Sequence, residues 1–211
     1  DLLVVPLLVA LKDHLPKVEG FIILTDEAHM PETTLPNVMC YETLLSKQPT
    51  SFDWPEFDEN TASAMCYTSG TTGNPKGVVY SHRSTLLHAL GGGMPDVSAA
   101  SYKETILPIV PMFHVNAWGA PYSSLMVGSK MVMPGPKMGD GETLQSLIEG
   151  ENVTFSSGVP TIWLGLLDFL EKNGKTLPSL KRVSVGGAAC PSTIIERFLR
   201  QHNVEFVKGW V

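Results

Sequence analysis

Apolar residues along this chain fall at two spacings that take turns, one helical and one strand-like. Val4, Leu7, Leu8, Leu11 and Leu15 recur at helical intervals until Pro16, which predicts a core-facing helix over 1–15. Gly20-Phe21-Ile22-Ile23-Leu24-Thr25 reads as a buried strand, 26–36 as loop and 41–46 as a short helix. An apolar strand over 61–67 and the β-prone run Val78-Val79-Tyr80 flank a stretch rich in glycine and hydroxyls, the arrangement of a hairpin. Ser81 is placed to cap a helix that starts near His82, carries Leu86, Leu87 and Leu90 on one side, and ends at Gly91-Gly92-Gly93.

Beyond the glycines the pattern becomes regular. Strands at 104–110, 130–133, 153–156, 182–185 and 204–207 alternate with helices at 116–127, 142–150, 160–172 and 191–200. Ile162, Trp163, Leu166, Leu167 and Leu170 form one apolar helical face, with Trp163 expected in the core. The predicted fold class is α/β, with two layered subdomains whose largely parallel sheets are flanked by helices. The first, partial subdomain spans 1–95 and the second 96–211, with the glycine run as boundary.

Ligands of open parallel sheets bind beyond the carboxyl ends of the strands. The segments there are 111–119, Gly158-Val159-Pro160, 186–190 and Gly209-Trp210, all rich in glycine, proline or aromatic residues. They are expected to wall one cleft.

The hairpin turn carries the densest chemistry: Tyr67-Thr68-Ser69-Gly70-Thr71-Thr72-Gly73-Asn74-Pro75-Lys76-Gly77. Its glycines let backbone N–H groups converge on an anion, its hydroxyls add donors, and Lys76 adds a point charge, the makings of a phosphate grip. A Walker A loop is excluded, since Pro75 precedes Lys76, Gly77 follows it, and no helix opens there. The competing reading is a polar surface turn, which has no need of four hydroxyls and a lysine at these positions.

Composition narrows the partners. Hydrophobic residues make up 43% of 211 and the mean hydropathy is +0.08, enough for one or two cores. A net charge of −6 without a Lys/Arg cluster argues against a nucleic-acid partner. The apolar run 2–11 is too short for a transmembrane segment and contains Pro6, and no signal peptide is evident, so a cytoplasmic location is expected. Cys40, Cys66 and Cys190 are too scattered for a disulfide framework or metal site and are expected as buried thiols. His14 and His29 are expected at the surface. The acidic, aromatic stretch 52–59 fits no recognised calcium loop and is expected to be a packed connector.

The stretch from Tyr67 to Gly77 resembles the signature loop of the adenylate-forming superfamily, which includes acyl-CoA synthetases, luciferases and peptide-synthetase adenylation domains. The resemblance covers nearly the whole chain, most strongly from Asn60 onward. It implies that Thr68, Ser69, Gly70, Thr71, Thr72, Gly73 and Lys76 hold the phosphates of ATP, with Thr68 also toward Mg²⁺, while a carboxylate attacks the α-phosphate. Pro111-Met112-Phe113-His114-Val115-Asn116-Ala117-Trp118-Gly119 resembles the aromatic–His motif of bacterial medium- and long-chain fatty acyl-CoA synthetases. It implies an acyl tunnel gated by Trp118 and lined by Val115, with His114 near the carboxylate or phosphate and Lys76 and His114 catalytic. A core histidine and a packing tryptophan are the alternatives. Gly186-Gly187-Ala188-Ala189 resembles the segment that packs on adenine and the acyl group, which assigns Gly187 and Ala188 to binding. Lys208-Gly209-Trp210 resembles the start of a Gly-aromatic-Gly-x-Thr-Glu motif, with Trp210 against adenine, but Val211 stands where the family has glycine. The magnesium-binding glutamate, ribose-binding aspartate, hinge residue and catalytic lysine of that family lie outside these residues. The chain therefore reads as a central piece, expected to be inactive alone.

Three functions stand as expectations: activation of a fatty acid and its transfer to coenzyme A, the same chemistry on a short thioether or aryl acid, and a non-catalytic nucleotide-binding module. A small-molecule acid is the expected partner, and a homodimer is left open.

Overall fold

A computed structural model describes residues 2–68 and 73–209. The chain divides into two compact units, Asp1–Glu56 and Phe57–Val211. The boundary expected at 95/96 falls inside the second unit, just after a helix that packs on its neighbours there.

In the first unit, α1 (Val5–Leu11) leads to β1 (Phe21–Ile23), which pairs in parallel with β2 (Val38–Cys40) before α2 (Tyr41–Leu45). The small core gathers Val5, Phe21, Ile23 and Leu35, with Leu8 and Val9 against it. The helical spacing is real but its inward face is not the expected one, because Leu7 and Leu11 are exposed. Pro6 in the first turn sets the start at Val5, and positions i, i+3 and i+4 from there point inward. β2, only three residues long, has no visible period.

The second unit opens with an antiparallel hairpin of β3 (Ala62–Thr68) and β4 (Lys76–Ser81), in which Thr68 faces Lys76. The helix α3 (His82–Gly92) follows. Its Ser81 Oγ accepts from the Ser84 N–H while Ser84 Oγ accepts from the Ser81 N–H, so a capping box fixes its start. Leu86, Leu87 and Leu90 are exposed on it.

A five-stranded, all-parallel sheet follows in the order β6-β5-β7-β8-β9. The strands are β5 (Thr105–Pro108), β6 (Lys130–Met131), β7 (Phe155–Gly158), β8 (Arg182–Val185) and β9 (Glu205–Lys208). Between β5 and β6 lie a single turn, α4 (Val115–Trp118), and α5 (Ala120–Val127). Then α6 (Gly141–Gly150), α7 (Pro160–Asn173) and α8 (Ser192–His202) precede β7, β8 and β9 in turn. Each connection between parallel neighbours thus carries a helix, as the geometry requires.

Strand alternation separates two faces. Leu107 and Val183 join Leu144, Ile148, Trp163, Leu166, Leu167, Leu170 and Phe198 of α6, α7 and α8 in the main core. Each leucine fully buried there contributes about 1.5–3 kcal/mol. Trp163 is completely buried, donates from Nε1 to the Ser184 carbonyl at 3.2 Å and meets Phe198 edge to face. It is core, as expected. Ile106, Phe155 and Ser157 belong to the other face, where α5 packs on the sheet and α3 packs on α5. That face holds the candidate site.

The connector over 52–59 departs from expectation: it has no regular structure and leaves Trp54 84% exposed. Cys40 and Cys66 are buried thiols and Cys190 is half-buried. His14 and His29 are exposed, and His29 pairs with Asp26, which caps a short 3-10 turn.

Candidate functional site

The helix expected over 116–127 is broken. Val115, Asn116, Ala117 and Trp118 have φ of 49°, 49°, 51° and 55°, so α4 is a left-handed turn, and Gly119 at φ 75° hands the chain to α5. Pro121 in the first turn of α5 explains the restart. Left-handed helical backbone costs roughly 1–2 kcal/mol for each L-residue. Such strain persists only where surroundings hold it, and it gathers at functional sites. The Ala117 N–H donates to the carbonyls of Pro111 and His114 at 3.2 and 3.1 Å, and the Gly119 N–H donates to Asn116 O at 3.1 Å. Cys66 Sγ, from the hairpin, lies 3.5 Å from Asn116 Oδ1. Left-handed geometry is legible from sequence only at Asn116 and Gly119, the residues that tolerate it.

This turn is one wall of a cavity of 410 Å³ on the face of the sheet opposite the main core. Val115, Trp118 and Gly119 stand on one side, Ile106 and Phe155 come from the strands, and Ser157 and Ser184 supply hydroxyls. The volume lies in the range of small-molecule sites, about 300–1,000 Å³. Gly186 and Gly209, at the carboxyl ends of β8 and β9, reach the same space. Of the four segments expected to wall one cleft, three therefore contribute, while 158–160 does not line it.

Gly187 is exposed at φ +76°, and a Cβ there would meet Val159 Cγ1 at 3.4 Å, so it lies beside the 158–160 turn. Ala188 is exposed next to it. Gly209 donates its N–H to the Val185 carbonyl at 2.8 Å, which ties the end of β9 to β8. Lys208 is exposed opposite Val185, near Cys190. Burial pushes the Cys190 thiol up, and the Lys208 ammonium opposes that rise.

His114 is exposed at the start of the left-handed turn and stands outside the cavity lining. Thr68 and Lys76 face each other, exposed, at the turn end of the hairpin, and Gly73 has φ 137° with open space where a Cβ would stand. Ser69, Gly70, Thr71, Thr72 and Trp210 lie outside the described residues. The structure thus brings Val115, Trp118 and Gly209 together at one cavity. It keeps Thr68, Gly73, Lys76, His114, Gly187, Ala188 and Lys208 out of that lining.

Among the described residues, no group of three or more histidine, cysteine or carboxylate side chains is arranged for a metal ion. Thr68 offers one exposed hydroxyl. It fits Mg²⁺ only as a minor ligand beside nucleotide phosphates and water, the usual way that ion is held.

Sequence reasoning missed His88 of α3. This residue lines the 410 Å³ cavity and also a second one of 210 Å³ between α3, β4 and the left-handed turn. It sits in no motif, and only the fold brings it to Gly119, 31 positions later in the chain.

The sequence matches the AMP-binding enzyme family over residues 5–210. It is 48% identical over 205 residues to a medium-chain-fatty-acid–CoA ligase of Ectopseudomonas oleovorans, covering 97% of this chain and 37% of that protein. It is 47% identical over 210 residues to a 3-methylmercaptopropionyl-CoA ligase of Ruegeria lacuscaerulensis, covering 100% and 39%. The fold is similar to that of a long-chain-fatty-acid-CoA ligase from Archaeoglobus fulgidus, with a TM-score of 0.76, 23% identity, and coverage of 96% of this chain and 45% of that one. The chain thus spans 37% and 39% of the two curated relatives' lengths.

Proposed function

The chain belongs to the AMP-binding enzymes, and from that premise we propose that the protein it forms part of activates a carboxylic acid, most simply a fatty acid, and passes the acyl group to coenzyme A. In the first step a carboxylate oxygen attacks the α-phosphorus of ATP and pyrophosphate leaves. In the second the thiol sulfur of coenzyme A attacks the acyl carbonyl, AMP leaves and the thiol proton goes to solvent.

One observation carries the reading: the apolar cavity walled by Val115 and Trp118, in a chain 48% identical to a fatty-acid ligase. An alkyl chain gains about 0.8 kcal/mol per methylene buried, so such a cavity holds an acid without any charge. Within the proposal, Thr68, Ser69, Gly70, Thr71, Thr72, Gly73 and Lys76 grip the phosphates, and Lys76 offsets charge on the leaving pyrophosphate. His114 lies toward the reacting carboxylate, and Gly187, Ala188, Lys208, Gly209 and Trp210 toward adenine. When bound, Mg²⁺ would supply charge neutralisation at the phosphates.

A second reading is favoured by the 47% identity to a 3-methylmercaptopropionyl-CoA ligase: the acid is short and carries a thioether. Pyrophosphate release by the full-length protein with straight-chain acids of rising length, and with 3-methylmercaptopropionate, decides between the two. Release with no acid of either kind would overturn both and leave a nucleotide-binding module. No helix among the described residues is long and apolar enough to cross a membrane. ATP and coenzyme A as co-substrates support a cytoplasmic location, and a homodimer remains part of the proposal.

A further inference from the structure

His88 joins two cavities to one glycine. The 410 and 210 Å³ spaces share His88, Val115 and Gly119 in their linings, so these three residues form the wall between them. A Cβ built on Gly119 would lie 2.6 Å from His88 Nδ1 and 2.8 Å from Cε1, so that edge of the imidazole rests against the bare Cα of Gly119. Gly119 itself is buried and at φ +75°. A side chain there is thus refused twice, by backbone conformation and by the ring. The backbone of Val115 and Gly119 is fixed by the left-handed turn, which leaves the imidazole as the movable part of the wall.

Among the described residues, His88 is also the one ionisable side chain lining the larger cavity. The serine hydroxyls nearest α3 and the turn are engaged elsewhere: Ser98 Oγ donates to Gly92 O at 2.6 Å, and Ser123 Oγ to Gly119 O at 3.3 Å. The space beside the ring is therefore shaped for an apolar ligand, and the ring acts there by its volume. Beyond the ring the second cavity is bounded by Tyr80, Thr85, Asn116 and Tyr122.

We propose that His88 is a specificity-determining residue whose imidazole, seated on Gly119, closes the acid-binding cavity off from a second compartment and so sets the longest or bulkiest acyl chain admitted. The proposal rests on the acyl-pocket reading above. Removing the ring joins the two spaces. Replacing it with another ring of similar size keeps them apart.

The test uses the full-length protein, its His88→Ala and His88→Phe variants, and two series of ligands. In the first, kcat/KM is measured for straight-chain acids of rising length. His88→Ala is expected to move the cut-off to longer acids, with a gain of about fourfold for each methylene newly accommodated, the ratio that corresponds to ~0.8 kcal/mol. His88→Phe is expected to keep the wild-type cut-off. In the second series, thermal shifts are recorded with straight-chain alcohols of rising length, which need neither ATP nor a carboxylate. The chain length at which the shift stops growing is expected to increase in His88→Ala alone. An unchanged cut-off for His88→Ala in both series overturns the proposal, and so does a His88→Phe profile that follows His88→Ala, since the ring would then act by its nitrogens. If no fatty acid is activated while the alcohol cut-off moves as described, the acyl-activation reading fails and the partition stands.

Discussion

Lys76 and Gly73 answer to different physics. Lys76 is exposed, so truncating it removes little packing, whereas a cation that offsets developing phosphoryl charge acts only in the transition state. We expect Lys76→Ala in the full-length protein to slow pyrophosphate release by about 10²–10³-fold, the scale of losing one such group, with the melting temperature almost unchanged. Gly73 has open space around it but φ 137°, so Gly73→Val fails through backbone conformation and not through a clash. Its release rate should fall at least as far. A rate near wild type for either variant would remove the hairpin turn from the site. Trp118 is half-buried against the cavity and in left-handed backbone. Trp118→Ala is expected to reorder the preference among acids of different length while leaving the dependence on ATP concentration in place. An unchanged preference with a large drop in melting temperature would make it a packing residue only.

At the scale of elements, the hydrophobic period carried most of the second unit. β8 falls at 182–185 as read, and α7 buries Trp163, Leu166, Leu167 and Leu170 as its spacing implied. A long apolar helix face and a four-residue buried strand are signals that tertiary context seldom reverses. What stayed illegible was conformation that only the fold can hold. The residues Val115-Asn116-Ala117-Trp118 have ordinary helix-compatible side chains, and their left-handed φ values come from the packing around them. His88 was illegible for the same reason, because its partner Gly119 is distant in sequence. Asn116 is the residue in that turn best suited to φ 49°, and it meets Cys66. Asn116→Val should therefore destabilise by roughly 1–3 kcal/mol, read by denaturant titration, and no loss would contradict the left-handed turn. The end of α8 gives a pH dependence. Burial, with the Arg197 charge beside it, holds His202 below its ordinary value of 6.5. The folded state then binds a proton less readily than the unfolded state. Stability is full above 6.5 and falls as pH drops through the lowered folded value. Amide exchange in α8 should accelerate over that interval, and His202→Gln should flatten the change.

For the whole molecule, the main sheet has two edges, β6 and β9, and they differ in kind. β6 is a two-residue strand, whereas β9 offers four residues whose outer edge is unpaired among the described residues. A regular edge of that length is a template for another strand, within one protein or between copies. Large apolar side chains also lie exposed on α3 and α5, among them Leu86, Leu87, Leu90 and Leu125. The chain spans 37% and 39% of the two curated relatives' lengths. We expect the 211-residue chain by itself to turn over neither ATP nor coenzyme A with a fatty acid, and to self-associate through β9. The rate argument is electrostatic: metal and positively charged groups together stabilise a transferring phosphoryl group, so a chain that supplies only part of that set should lose many powers of ten in rate. Incubating the chain with ATP, Mg²⁺, coenzyme A and a fatty acid while following pyrophosphate and acyl-CoA tests the first part. Turnover equal to that of the full-length protein would show that the essential groups are all within this chain. Light scattering of the chain with and without Lys208→Pro tests the second. The N–H groups of Glu205 and Gly209 donate to β8, so by alternation that of Lys208 faces the outer edge. Replacing it with a residue that has no N–H should weaken association through that edge, and an unchanged mass would assign the contact to the exposed leucines instead.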